Sequence, residues 1–196
     1  MKKLGFTLAE ILITLTIIGV VAAVTLPSLE TNMSNRGLET KTTKFYRNLS
    51  EAVGRCMAEN DADNLTNSGI PNAPNDFIVS YFKVAKVCKT PDEPGCFAKE
   101  YKSFTGNKLF NINVTPMKGS QPYVLTDGSV FFYRTLNQAE QANSLARAVV
   151  AVDINGPDRP NRVGFDLWQM YVFEDGSIDE FTIDRLSEYP NIFYLQ

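Results

Sequence analysis

From Phe6 to Leu29 the chain reads FTLAEILITLTIIGVVAAVTLPSL, an apolar run interrupted by a single charge, Glu10. As an α-helix this run extends about 36 Å at 1.5 Å per residue, enough to cross a bilayer core of about 30 Å. Lys2 and Lys3 precede it, and the preference of short basic flanks for the cytoplasm predicts an N-terminus inside and the bulk of the chain outside. A secretory signal also has basic residues, an apolar core and then a small-residue cleavage site, and Ala22-Ala23-Val24 imitates one. Two residues argue for a retained anchor instead. Glu10 lies inside the apolar run, where a carboxylate is costly and marks a functional position. Gly5 stands between the lysines and the apolar run, a small residue where a protease at the cytoplasmic face would cut and leave the anchor in place.

Composition narrows what the rest of the chain does. At 196 residues, 44% hydrophobic and 21% charged, there is room for one globular domain behind the apolar segment. The absence of histidine removes Ser-His and Cys-His catalysis, histidine-bearing zinc sites and imidazole acid–base chemistry together. A formal charge of -3 gives no global basic field for a phosphate backbone, so no nucleic-acid partner is predicted.

The segment KKLGFTLAEILITLTIIGVVAAV resembles the N-terminal signal of type IV prepilins and type II secretion pseudopilins, and the likeness covers about the first thirty residues. The resemblance implies that a prepilin peptidase cuts between Gly5 and Phe6 and methylates the new amino group of Phe6. It also implies that Glu10 is the acidic residue of the mature helix and that Pro27 is its helix-bending proline. The physics of Glu10 suits such a role, because a buried carboxylate is tolerated when paired with a buried cation, and assembly brings a neighbour's Phe6 ammonium to it. The plainer alternative is an anchor whose Glu10 reaches back to the headgroups.

Beyond Pro27, Phe45, Leu49, Ala52, Val53 and Cys56 fall on one face at helical spacing, which predicts a half-buried helix. Asp61 to Asn75 is rich in Asn, Asp, Gly and Pro and reads as a loop. DFIVSYFKVAKVC suits a short amphipathic helix, with a strand as the alternative. PYVLTDGSVFFYR and WQMYVFEDGSIDEF each place Asp-Gly between apolar runs, the hairpin signal, and ARAVVAVDI is a continuous apolar strand. Helix first and hairpins afterwards predict an α+β fold, with the amphipathic helix across one face of an antiparallel sheet of about four or five strands.

Cys88 and Cys96 flank the turn-rich KTPDEPG in a domain expected outside the cytoplasm, where disulfides persist. Cys56 is then the buried thiol left over, although three cysteines permit three pairings. DINGPDRPNRVGFD gathers the oxygen donors Asp153, Asn155, Asp158, Asn161 and Asp166 in a glycine-bearing turn, which suits calcium. Asx-turns and Gly and Pro geometry alone are the other account of that loop. The acidic pairs Glu174-Asp175 and Asp179-Glu180 read as solvated turn and strand surface. Phe131 to Tyr133 and Trp168 to Tyr171 fill a core, or present a ligand surface if they face outward.

The resulting expectation is a leader at 1–5, a transmembrane and assembly helix at 6–29, and a periplasmic pilin-like domain at 30–196 that includes the amphipathic half of the helix. The function implied is that of a pilus or secretion-pseudopilus subunit with no catalytic residues and no cofactor other than calcium. It sits as a single pass in the bacterial inner membrane with the N-terminus in the cytoplasm. Its partners are other pilin or pseudopilin subunits, the prepilin peptidase and the inner-membrane assembly platform. A single-pass anchored binding protein that never polymerises is the alternative.

Overall fold

A computed structural model describes residues 7–103, 109–112, 121–141 and 146–180, with residues 24–36, 110, 139 and 180 described by their backbone alone. The first element, α1 (Leu8–Glu59), is helical without a break through Pro27 and Gly37. The chain divides into two compact units, residues 1–37 and 38–196.

In the first unit the described large apolar side chains of α1, from Leu8 to Val21, are 44% to 80% exposed. They occupy the whole circumference of the helix, which is the pattern of a helix surrounded by apolar material rather than of one lying on a core. Among the described residues no helix is long and apolar enough to cross a membrane. The span expected at 6–29 begins before the described residues and ends among those described by backbone alone.

The second unit is built on a six-stranded antiparallel sheet ordered β1-β4-β5-β6-β7-β8, where β1 is Val84–Val87, β4 Tyr123–Leu125, β5 Val130–Thr135, β6 Ala146–Asp153, β7 Leu167–Phe173 and β8 Ile178–Glu180. A two-stranded sheet joins β2 (Glu100–Lys102) to β3 (Leu109–Asn111). Both Asp-Gly signals are hairpin turns, between β4 and β5 and between β7 and β8. In each, the aspartate accepts from the backbone amide and hydroxyl of the serine two residues on: Ser129 to Asp127 and Ser177 to Asp175. Gly128 and Gly176 supply the positive φ, 88° and 80°, that such a turn requires.

The sequence DFIVSYFKVAKV splits into two elements. Helix α2 (Pro74–Tyr81) ends where Phe82 turns to extended backbone, and β1 follows. The expected helix is therefore too long by its second half. VAKV has the alternating half-buried and exposed pattern of an edge strand, and pairing with β4 outweighs a further helical turn. This strand raises the sheet to six, above the expected four or five strands.

Strand alternation sends side chains to two separate cores. On one face, Phe131 and Tyr133 of β5, Val150 and Val152 of β6 and Met170 of β7 meet α1 and α2. The α1 residues there are Leu38, Phe45, Leu49, Ala52, Val53 and Cys56, the face expected from spacing. Phe45 meets Phe131 edge-on at 5.3 Å between ring centroids. On the other face, Val130, Phe132, Val149, Ala151, Leu167 and Tyr171 are covered by Cys88, Cys96, Phe97, Tyr101 and Ile112. A strand apolar at every position needs cover on both sides, and β6 has it. The aromatics of β5 and β7 fill these cores instead of forming an outer ligand surface.

Candidate functional site: the capped start of the N-terminal helix

Thr7 stands immediately before α1, and Glu10 is three residues on. The Thr7 amide donates to Glu10 Oε2 at 2.8 Å, and the Thr7 hydroxyl donates to the same oxygen at 2.7 Å. In return the Glu10 amide donates to Thr7 Oγ1 at 3.3 Å. This is a reciprocal capping box, Thr-x-x-Glu, in which two otherwise unpaired amides at a helix N-terminus are satisfied by side chains. The carboxylate also lies where the partial positive charge of the helix dipole favours it. One charge in an apolar run is thus held by the turn that contains it, and its carboxylate is directed toward the N-terminal end.

The other polar side chains of the segment are accommodated along the helix. The Thr14 hydroxyl donates to the Glu10 and Ile11 carbonyls, at 3.0 and 2.9 Å, and that of Thr16 to the Leu12 carbonyl at 2.8 Å. Threonine can bond back to the preceding turn in this way, so neither hydroxyl has to be solvated. Gly5 and Phe6, the expected processing residues, lie outside the described residues.

Cys88 and Cys96 form a disulfide with a Cα separation of 6.5 Å, and both are fully buried against the second sheet face. Glu93 closes the loop between them, pairing with Lys86 at 2.9 Å and accepting from the Lys89 amide at 2.7 Å. Those donors hold its carboxyl below the usual range, the Lys89 amide first and Lys86 next. Cys56 is a free, buried thiol on α1.

In the loop from β6 to β7, Asp153 and Asp166 are fully buried. Asp153 accepts from the Tyr101 hydroxyl and, at 3.2 Å, from the Asn155 amide. Asp166 accepts from the Asn161 and Arg162 amides, both at 2.6 Å. Burial pushes both carboxyls up, Asp153 well above its ordinary value with Asp166 adding to the effect. Asn155 donates to the Asp158 and Arg159 carbonyls, and the exposed Asp158 contributes only its main chain to these bonds. The side-chain oxygens of Asn155 and Asn161 are buried without a hydrogen-bond partner. Among the described residues no three Cys, Asp or Glu side chains gather where they would share a metal ion.

Glu174 is an anchor point rather than solvated surface: it pairs with Arg147 and accepts from the Thr66 amide at 3.4 Å. Two residues used by these sites were missed in the sequence. Thr7 had a legible signal, the Thr-x-x-Glu spacing ahead of an apolar run. Tyr101 had none, since only the fold brings it to Asp153.

Residues 1–26 match the family model of the prokaryotic N-terminal methylation motif. They carry the prepilin-type cleavage and methylation signal of type IV pilins and pseudopilins. The motif spans Thr7 and Glu10 and stops before the globular unit, so it speaks for the start of the chain. Behind it, a helix followed by an antiparallel sheet is an α+β arrangement consistent with a pilin-like fold. No curated protein and no solved structure gives a significant match to the chain.

Proposed function

We propose that the chain is the precursor of a fibre subunit of a type IV pilus or type II secretion pseudopilus. It is cut after Gly5, methylated on the Phe6 amino group and assembled through its N-terminal helix. The observation that carries this reading is the methylation motif at residues 1–26, joined to a helix that starts in a capping box and exposes apolar side chains all round. Such a surface requires an apolar surrounding, first lipid and then neighbouring helices.

In this reading the apolar segment crosses the inner membrane once with Lys2 and Lys3 in the cytoplasm, and the unit from Leu38 onward lies in the periplasm, where the Cys88–Cys96 disulfide persists. Glu10 supplies the carboxylate that receives the Phe6 ammonium of an adjacent subunit, setting register along the fibre. The prepilin peptidase, the assembly platform and other pilin-like subunits are the partners.

N-terminal mass spectrometry of the membrane form tests the processing step. The expected mature terminus is N-methylated Phe6. An intact Met1, or cleavage after Ala23, in cells with an active prepilin peptidase would overturn it.

A further inference from the structure

A groove of about 340 Å³ runs between α1, the residues that lead into β1, and the turn from β4 to β5. On the α1 side it is lined by Lys44, Asn48, Glu51 and Arg55, whose spacing of four, three and four residues keeps them on one face of the helix over about 16 Å. Its apolar lining is Ala52, Phe82 and Leu125, all of them buried residues of the first core.

The outer cations of this face are compensated within the chain. Lys44 pairs with Asp127 at 3.6 Å, and Arg55 pairs with Glu59 at 3.4 Å and lies 5.5 Å from the centre of the Tyr81 ring. The groups between them are not. Among the described residues, the side chains of Asn48, Glu51 and Lys83 find no hydrogen-bond or ion-pair partner, and Glu51 and Lys83 line different walls of the groove without meeting. The main chain of Lys83 is fixed, since its carbonyl accepts from the Thr126 amide at 3.1 Å.

We propose that this groove binds a short peptide with both ends free, its ammonium toward Glu51, its carboxylate toward Lys83 and an apolar side chain over Phe82 and Leu125. A zwitterion answers both uncompensated charges at once. A simple anion would meet Glu51 and Asp127 along with Lys83, and a simple cation would meet Lys83 with Lys44 and Arg55 beside it. The Asn48 amide offers a donor and an acceptor side by side, the complement of a peptide amide. Two or three extended residues span about 7–10 Å, which fits within the length of the groove, and the volume falls in the range of about 300–1,000 Å³ usual for small-ligand sites. The site lies wholly within the second unit and does not depend on fibre assembly.

The test is titration of the tripeptide Ala-Leu-Ala into the full-length chain in detergent micelles, followed by heat and by the NMR signal of the Asn48 side-chain amide. The dissociation constant expected for so small a ligand is about 0.1–1 mM. Acetylating the amino end or amidating the carboxyl end should each weaken binding about five-fold. Glu51→Gln should weaken the free peptide to the same extent and add nothing for the acetylated one, and Lys83→Met should add nothing for the amidated one. Both residues are exposed, so neither substitution disturbs the core. No heat and no movement of the Asn48 signal up to about 10 mM peptide overturns the proposal. So does equal binding of free and blocked peptides, which means that the charges are not read. Tighter binding of the peptide blocked at both ends also overturns it, being the behaviour of a groove for an internal segment of another protein. Binding that ignores both substitutions places the peptide elsewhere and overturns it as well.

Discussion

The Tyr101 hydroxyl donates to the Asp153 carboxylate inside the second core, where both side chains are fully buried. The same hydroxyl accepts from the Ala98 amide at 3.0 Å, so one phenol ties the segment after the disulfide and β2 to the end of β6. Burial and the neighbouring carboxylate drive the Tyr101 hydroxyl far above its ordinary range, which keeps it a donor at any working pH. The cost falls on Asp153, a buried carboxyl with no cationic partner among the described residues.

A pH dependence follows from that cost. The folded-state pKa of Asp153 is raised by burial and by Asp166, so its contribution is fully present below the unfolded value of about 3.9 and is lost as pH rises through the folded value. Wild type should therefore lose stability relative to Asp153→Asn as pH rises above about 4. Urea unfolding of the two proteins across that range measures the difference. A difference that is flat, or that falls as pH rises, would reject the assignment.

The turn from β7 to β8 lies against α1. A Cβ added at Gly176 would stand 2.5 Å from Sδ of Met57, and the residue has φ of 80°. Gly128, with φ of 88°, has open space around it. Gly128→Ala should destabilise by about 1–2 kcal/mol through the left-handed backbone alone, and Gly176→Ala by more, because Met57 must also move. Repeating Gly176→Ala in a Met57→Ala background should remove the excess. Equal losses at the two glycines would show that the thioether gives way freely.

The disulfide closes a short loop under the second core, and the chain-entropy account gives such a crosslink about 2.5 kcal/mol. The Cys88→Ser, Cys96→Ser double variant should lose about that much, measured by denaturant midpoint at unchanged slope. Non-reducing peptide mapping should return a Cys88–Cys96 peptide and an alkylatable Cys56 only after unfolding. A Cys56-linked peptide as the main species would be incompatible with the buried thiol.

The elements that the sequence made legible are those whose signals are local. Asp127-Gly128 and Asp175-Gly176 are hairpin turns because their geometry depends on the dipeptide itself. Phe45, Leu49, Val53 and Cys56 share the buried face of α1 because helical period alone puts them there. The boundary between α2 and β1 was not legible, since VAKV becomes a strand only when β4 offers it a partner. Nor was the covering of the second sheet face by Phe97, Tyr101 and Ile112, which needs contacts between segments far apart in sequence. In the 153–166 loop composition displays the oxygen donors, and the bonds formed by Asp153 and Asp166 depend on Tyr101 and on main-chain amides that it does not display. The cap formed by Thr7 is legible by its Thr-x-x-Glu spacing to Glu10.

Glu10 has two separable tasks in the proposed function, capping its own helix and receiving a neighbour's ammonium. Glutamine keeps the first, because its amide oxygen still accepts from the Thr7 amide and a capping box tolerates Glu or Gln. It loses the second, because no charge remains to pair with Phe6. Glu10→Gln should therefore insert and be cut after Gly5 like wild type, since a neutral side chain makes an apolar helix easier to accommodate. The pool of mature subunits in the membrane should be normal. Polymer should fall at least ten-fold in a shearing assay, and cysteine crosslinks between adjacent N-terminal helices should disappear, because each added subunit would leave an ammonium unpaired in an apolar surrounding. Glu10→Ala, lacking the carbonyl as well, should share this assembly defect. Fibres from Glu10→Gln at wild-type yield and crosslinking register would leave Glu10 as a helix cap alone, and the assembly role would have to pass to another residue.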